Sequence, residues 1–307
     1  MVYARSLTAL GLAAGYALDS AVGDPRRGHP VAAFGRVAGA LERRMWADSR
    51  PRGAAYAVTC VGAAAGLGAV AQTFARKPFA RFAVTAIATW AVLGGRGLAR
   101  EGDVMAGLLE AEDLPAARVR LGHLCGRDAT NLDTKEIARA ATESIAENTS
   151  DAVVAPLVWG AVAGLPGLLG YRALNTLDAM VGHRSSRYER FGWAAARADD
   201  VANLVPARLA ALAAACCAPL LGGSPRRAWR VWRRDAGQHP SPNAGQVEAA
   251  FAGALDIQLG GINTYGGVTE DRGTLGDGVT PEAADLRRSV RLSRLVGLAA
   301  LAVAVAR

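Results

Sequence analysis

GAAYAVTCVGAAAGLGAVAQTFA, residues 53–75, decides the class of this protein. The run holds no charged residue and, coiled as a helix rising about 1.5 Å per residue, it is long enough to cross the roughly 30 Å hydrocarbon core of a bilayer. Inside it Gly62 and Gly66 stand four apart, a small-residue spacing that predicts close approach of another helix in lipid. The overlapping Gly66-Leu67-Gly68-Ala69-Val70-Ala71 imitates a dinucleotide fingerprint. It lacks the preceding strand and the following acid, so the match is chance.

Similar runs lie on either side. Residues 82–95 follow a short basic turn (Arg76, Lys77, Pro78, Arg81) and suggest a helical hairpin with the first run. Residues 152–171 are uncharged but carry Pro156 and Pro166, and residues 209–225 are uncharged for about one crossing. The end runs are weaker: 6–22 is apolar except for Asp19, and 295–306 is short. Arg5 gives the N-terminal run the look of a signal peptide. No small-x-small cleavage site is convincing and a dense polar motif follows at once, so the run is read as retained. The pattern predicts an all-α, polytopic integral membrane protein of one domain over 1–307, with four or more crossings and long polar helical loops. An Ala-rich soluble bundle is the competing reading.

Composition agrees. The 307 residues are 51% hydrophobic, and exchanging Tyr for the 36 Gly raises the apolar share to about 61%, against roughly 45–50% in ordinary soluble domains. Charged residues are 20% and the formal charge is +8, carried almost wholly by Arg because only Lys77 and Lys135 are lysine. Nucleic-acid binders place such an excess in a basic patch on a polar domain. Here Arg52, Arg76, Arg81, Arg96, Arg172, Arg208, Arg226 and Arg294 sit at the edges of apolar runs, where membrane segments place them. No nucleic-acid partner is expected. Four Cys without a C-x-x-C pair indicate neither a zinc ribbon nor a disulfide framework.

Chemistry must then be sought in the polar stretches 23–52, 96–151, 172–208 and 226–294. The first opens with GDPRRGHPV (23–31), a turn at a membrane boundary in which Asp24 and His29 are placed either to bind a metal or phosphate-bearing ligand or to stop a helix at the headgroups. The second contains ESIAENTSD (143–151). Glu143, Glu147 and Asp151 recur every four residues, which on a helix puts three carboxylates on one face with no Lys or Arg between them. Such acids repel one another unless a cation sits among them, and oxygen ligands suit Mg²⁺ shared with substrate phosphates; a solvated acidic face is the alternative. Asn148-Thr149-Ser150 matches a glycosylation sequon in a poor position against an apolar run. The third runs from Tyr171 to Asn203, with Asn175 and Asp178 on one helix face and Asp199, Asp200 and Asn203 beyond. The fourth, Gln238 to Glu248, is a Pro-rich turn entering a helix, and a further turn is expected at 263–267.

Absences narrow the chemistry. With two lysines, neither in a G-x-x-x-x-G-K-[ST] context, any ATP use is not by a P-loop. Neither H-E-x-x-H nor G-x-S-x-G occurs, and the scattered His29, His123, His183 and His239 argue against a histidine-built metal site.

Five motifs together, GDPRRGHPV (23–31), ESIAENTSDAVVAPL (143–157), YRALNTLDAMVGHR (171–184), FGWAAARADDVANLVPARL (191–209) and SPNAGQVEAAFAGAL (241–255), resemble the cobalamin-biosynthesis family CobD/CbiB, in the same order from about residue 10 to 300. The resemblance implies a membrane-bound adenosylcobinamide-phosphate synthase. Such an enzyme is an ATP-dependent ligase joining a propionate carboxylate of adenosylcobyric acid to (R)-1-aminopropan-2-ol or its O-phosphate. It implies ATP and Mg²⁺ as cofactors, a corrinoid and an amino alcohol as substrates, and a multi-pass location in the cell (inner) membrane, with other late cobalamin-pathway enzymes as partners. Individual roles come from residue chemistry instead. Glu143, Glu147 and Asp151 are the candidate Mg²⁺ ligands. Arg172, Arg184, Ser241, Asn243 and Tyr265 are the candidate nucleotide contacts. Asp24, His29, Asn175, Asp178, Asp199, Asp200 and Asn203 are the candidate catalytic set, with Asp24 or His29 taking the proton of the attacking ammonium.

If every apolar run crosses, the second and third clusters face opposite sides. A broken or re-entrant segment at 152–171 lining a cavity would remove that conflict. A transporter for a corrinoid or other anionic solute, and a non-catalytic scaffold for late corrinoid enzymes, are the rival readings.

Overall fold

The structure is a computed structural model that describes residues 2–24, 28–183, 185–265 and 268–306. In chain order its helices are α1 Val2–Val22, α2 Pro30–Met45, α3 Arg50–Phe74, α4 Pro78–Val92, α5 Gly95–Glu110, α6 Leu114–Leu121, α7 Thr134–Thr149, α8 Ala155–Leu177, α9 Trp193–Cys217, α10 Pro225–Asp235, α11 Ala244–Leu255 and α12 Ala283–Val305. Wide π turns follow α7 (Ser150–Val154) and α8 (Asp178–Gly182). The strands β1 Leu259–Tyr265 and β2 Val268–Leu275 form an antiparallel hairpin.

Among the described residues four helical stretches are long and apolar enough to cross a membrane: Arg50–Phe74, Pro78–Glu110, Thr134–Gly182 and Trp193–Leu221. The helical class and these four candidate spans agree with the hydropathy pattern, which predicts four or more crossings. Ser6–Val22 is apolar but shorter, and the apolar end of α12 is not among the four.

The chain packs as two compact units. The first comprises residues 1–94, 155–203 and 301–307, and in it α1 pairs with α4 while α3 pairs with α8. Glycine makes both approaches possible. A Cβ on Gly11 would stand 2.6 Å from that of Thr85, and one on Gly15 2.4 Å from that of Thr89, so α1 lies against α4 at backbone distance. Gly68 meets the Leu165 carbonyl of α8 in the same way. The expected seam at Gly62 and Gly66 is not used: within 4 Å of either position nothing is met among the described residues.

The break expected in 152–171 is present. At Gly164 φ is 64° and ψ −147°, a conformation open to glycine, and Pro166 follows. The freed Leu165 N–H donates to Gln72 Oε1 of α3 at 3.1 Å, so the kink is hydrogen-bonded from a neighbouring helix.

The second unit, residues 95–154 and 204–300, packs α7 against α5, α6 and α11, and α10 against α11. Asp133 and Glu136 close a reciprocal capping box at the start of α7. Arg234 forks between Asp235 and Asp277, tying α10 to the segment after β2. Among the described residues the hairpin is the one departure from the helical reading. Gly260, Gly261, Gly273 and Gly276 all take positive φ and β1 carries a bulge between Gly260 and Ile262, so its strands show no two-residue alternation to read. Of the turn expected at 263–267, residues 263–265 are instead the paired end of β1, and Gly266 and Gly267 lie outside the described residues.

Candidate functional site

Within the first unit the third motif cluster assembles around Asp199. Asn203 Nδ2 donates to Asp199 Oδ2 at 2.9 Å, while Asn203 Oδ1 accepts from the Tyr171 hydroxyl at 2.9 Å. Asn175 also hydrogen-bonds Asp199, and the Asp178 carboxylate lies close enough to act on it electrostatically. Four of the candidate catalytic residues, Asn175, Asp178, Asp199 and Asn203, are thus one network, supplied by α8, the π turn after it and α9. Asp178 opens that turn and lies directly over Gly182, where any Cβ would meet its Oδ1 at 1.9 Å. Asp200, by contrast, forms an i,i−3 pair with Arg197 at 3.4 Å.

Asp24 and His29 pair at 3.5 Å. His29 Nδ1 accepts from the Val31 N–H at 3.2 Å, which leaves the ring proton on Nε2, facing Asp24. The same imidazole therefore caps α2. Beside it opens a groove of about 340 Å³ lined by Pro30, Val31, Phe34, Leu67, Arg172 and Thr176. It is almost wholly apolar, with Arg172 its one charged lining residue. Arg172 also reaches Asn175 Oδ1 at 3.5 Å. Arg184 and the side chain of Tyr265 fall outside the described residues. The charged run after Arg184 has a holding role: Arg187 donates to Glu42 of α2 at 2.8 Å and stacks over Trp46.

The acidic cluster lies in the second unit, and the structure corrects the picture of three unpaired acids on one face. Glu143 is 3% exposed and saturated: Oε2 accepts from Arg127 at 2.5 Å, Oε1 accepts from the Gly260 N–H at 2.7 Å, and Arg139, four residues before it, comes to 4.0 Å. The pairing cation comes from the preceding turn and loop, where a search between the acids does not look. Asp151 falls in the π turn that follows α7. Among the described residues no group of three or more His, Cys, Asp or Glu is arranged to hold a metal ion. Glu147 keeps partial exposure, with Arg272, Glu143 and Arg127 around it.

Two further groups join this cluster and belonged to no candidate list: Glu248 of α11 and His239 before it. Glu248 is fully buried beside Glu143, Glu147, Arg272 and Arg127, and His239 Nε2 stands 3.7 Å from its Oε1. A signal was present in the sequence, since Glu248 is the one charged residue in 244–255. Ser241 Oγ accepts from the Asn243 and Ala244 N–H groups and starts α11. Asn243, 8% exposed, is buried at that same helix start.

A helical membrane protein carrying one amide–carboxylate network and one buried carboxylate–guanidinium cluster is the class these features define. The chain belongs to the CobD/Cbib protein family, whose model matches residues 12–293, and its role is in cobalamin biosynthesis. It is 55% identical over 97% of its length to a cobalamin biosynthesis protein CobD of Mycobacterium tuberculosis, covering 95% of that relative. The CobD of Geobacter metallireducens is 45% identical, with 90% of this chain and 89% of the relative aligned, and that of Rhodobacter capsulatus is 42% identical, with 90% of each. No solved structure matches.

Proposed function

We propose that the protein is the ATP-dependent ligase that joins a propionate carboxylate of adenosylcobyric acid to (R)-1-aminopropan-2-ol or its O-phosphate, acting at the cell membrane. Family membership supports the pathway, and the observation that carries the reaction type is the buried cluster of the second unit. A free carboxylate is a poor acyl donor. In the proposed route its oxygen bonds to the γ-phosphorus of ATP, ADP leaves, and the amine nitrogen then displaces phosphate from the acyl carbon. One amide, one ADP, one phosphate and one proton result.

The cluster's chemistry suits phosphate. Arg127, Arg139 and Arg272 supply fixed guanidinium donors in a buried setting, where their charge is screened little. The fit to Mg²⁺ is partial: Glu143 is consumed by Arg127, so Glu147 is the carboxylate that would hold the ion, with nucleotide oxygens and water completing its shell. Bound there, Mg²⁺ would neutralise charge on the transferring phosphoryl group. In the first unit, the Asp199 network and Arg172 beside the groove are the groups proposed to position the corrinoid side chains.

The test is turnover by purified protein in detergent, given adenosylcobyric acid, aminopropanol or its phosphate, ATP and Mg²⁺. Amide product with stoichiometric ADP supports the ligase. Corrinoid uptake into liposomes without turnover would replace it by a transporter, and neither result would leave a scaffold for other late-pathway enzymes.

A further inference from the structure

Glu248 is an anomaly that the reading above does not use. Its side chain is 0% exposed, yet neither carboxylate oxygen has a hydrogen-bond partner. Its carboxylate neighbours, Glu143 and Glu147, repel a negative charge there. The cations near it are engaged elsewhere, Arg127 by Glu143 and Arg272 by Glu270 at 3.3 Å. His239 completes the setting. Its Nδ1 accepts from the Ser241 N–H at 3.0 Å, so the neutral ring carries its proton on Nε2. That nitrogen is buried, unbonded, and directed at Glu248 from 3.7 Å. A third buried group is likewise unsatisfied: Asn263, on the strand that packs against α7 and α11, has neither side-chain atom bonded.

Two unpartnered oxygens facing a protonated Nε2 specify the ligand by chemistry. A transition metal is disfavoured, because the nitrogen it would take bears hydrogen, and no three-ligand set is arranged here among the described residues. A primary ammonium is suited. It offers three donors and one positive charge to a carboxylate otherwise left with neither. We infer that Glu248 is the counter-ion and proton acceptor of the amine substrate, with His239 orienting its carboxylate. The inference rests on the ligase reading, which requires an amine to enter as an ammonium and to lose a proton before its nitrogen can bond. That proton passes to a Glu248 oxygen, the freed lone pair forms the C–N bond, and phosphate leaves with the C–O electrons.

The experiment compares two nucleophiles on the same enzyme. Hydroxylamine is uncharged at neutral pH and traps an acyl phosphate as a hydroxamate without needing a counter-ion. In Glu248→Gln, amide formation from aminopropanol should fall about 100-fold or more with a raised KM for the amine, while ATP-dependent hydroxamate formation persists within a few-fold. Its melting temperature should match or exceed that of the parent, since a buried carboxyl group without hydrogen-bond partners, set beside two other acids, is replaced by a neutral amide of the same shape. Hydroxamate formation lost in proportion to amide would assign Glu248 to the nucleotide or corrinoid and overturn the inference. Unchanged amide turnover, or a lowered melting temperature, would overturn it too. If the parent protein forms neither product, the ligase reading itself has failed and not the assignment of Glu248.

Discussion

Glu143 and Glu147 stand one turn apart on the same helix, and their neighbours give them opposite tasks. Glu143 and Arg127 form an ion pair at 4% and 3% side-chain exposure, closed by the Gly260 N–H. Removing one member of such a pair leaves a buried charge alone, so Glu143→Gln should cost about 3–5 kcal/mol of stability, read as a lower melting temperature. Glu147 has no such partner to lose. Glu147→Gln should keep its melting temperature and raise the Mg²⁺ concentration needed for half-maximal turnover several-fold; an unchanged Mg²⁺ titration would remove it from the metal site. His239 supplies a pH signature. Burial and the nearby Arg272 push its pKa down from 6.5 to about 4, with the Glu248 carboxyl the other titrating group that faces it. Between those values the unfolded chain takes up the proton that the folded one refuses. Its contribution therefore falls as pH drops through this window, by about 3 kcal/mol at most. His239→Gln should show a smaller acid-side loss of melting temperature from pH 6.5 to 4 than the parent.

Among elements, packing was legible where it is a matter of composition and hidden where it depends on which faces meet. Residues 53–75 and 152–171 announce a span and a broken span by their charge-free length and their prolines. Nothing in the sequence separates Gly62-x-x-x-Gly66 from Gly11-x-x-x-Gly15. Only the pairing of α1 with Thr85 and Thr89 of α4 shows that the second is the seam. Gly15→Ala should therefore cost about 1–3 kcal/mol through overpacking. Gly62→Ala should leave stability unchanged or raise it by up to about 1 kcal/mol, as Gly-to-Ala does inside an unhindered helix. Equal melting temperatures for the two variants would refute this assignment of the seam. The candidate sites divide in the same way. Asn175, Asp178, Asp199 and Asn203 were found because helical spacing lines them up. Glu248 was missed because its meeting with Glu143 joins residues more than a hundred positions apart, and Arg127 because it reaches Glu143 from the loop before α7, outside any helical repeat; local spacing holds no information on either.

For the molecule as a whole, the hydropathy of four long helices makes a firm statement about solubility. The protein should remain with the membrane fraction through high salt and alkaline carbonate. Release by salt alone would mean a peripheral protein held by its Arg-rich edges. The hydrogen bond from Leu165 N–H to Gln72 also bears on how the chain is made. A backbone donor exposed by the kink at Gly164 has no water to turn to within a bilayer, so it must find a protein acceptor there. Synthesis proceeds from the N-terminus, so α3 emerges about ninety residues before α8, and Gln72 is already present when the broken helix arrives. The order of the polypeptide thus serves as an assembly schedule in which the acceptor precedes its donor. Gln72→Leu would strand the later segment at the moment of its insertion. That defect would be seen as less protein accumulating in the membrane, before any measurement of activity.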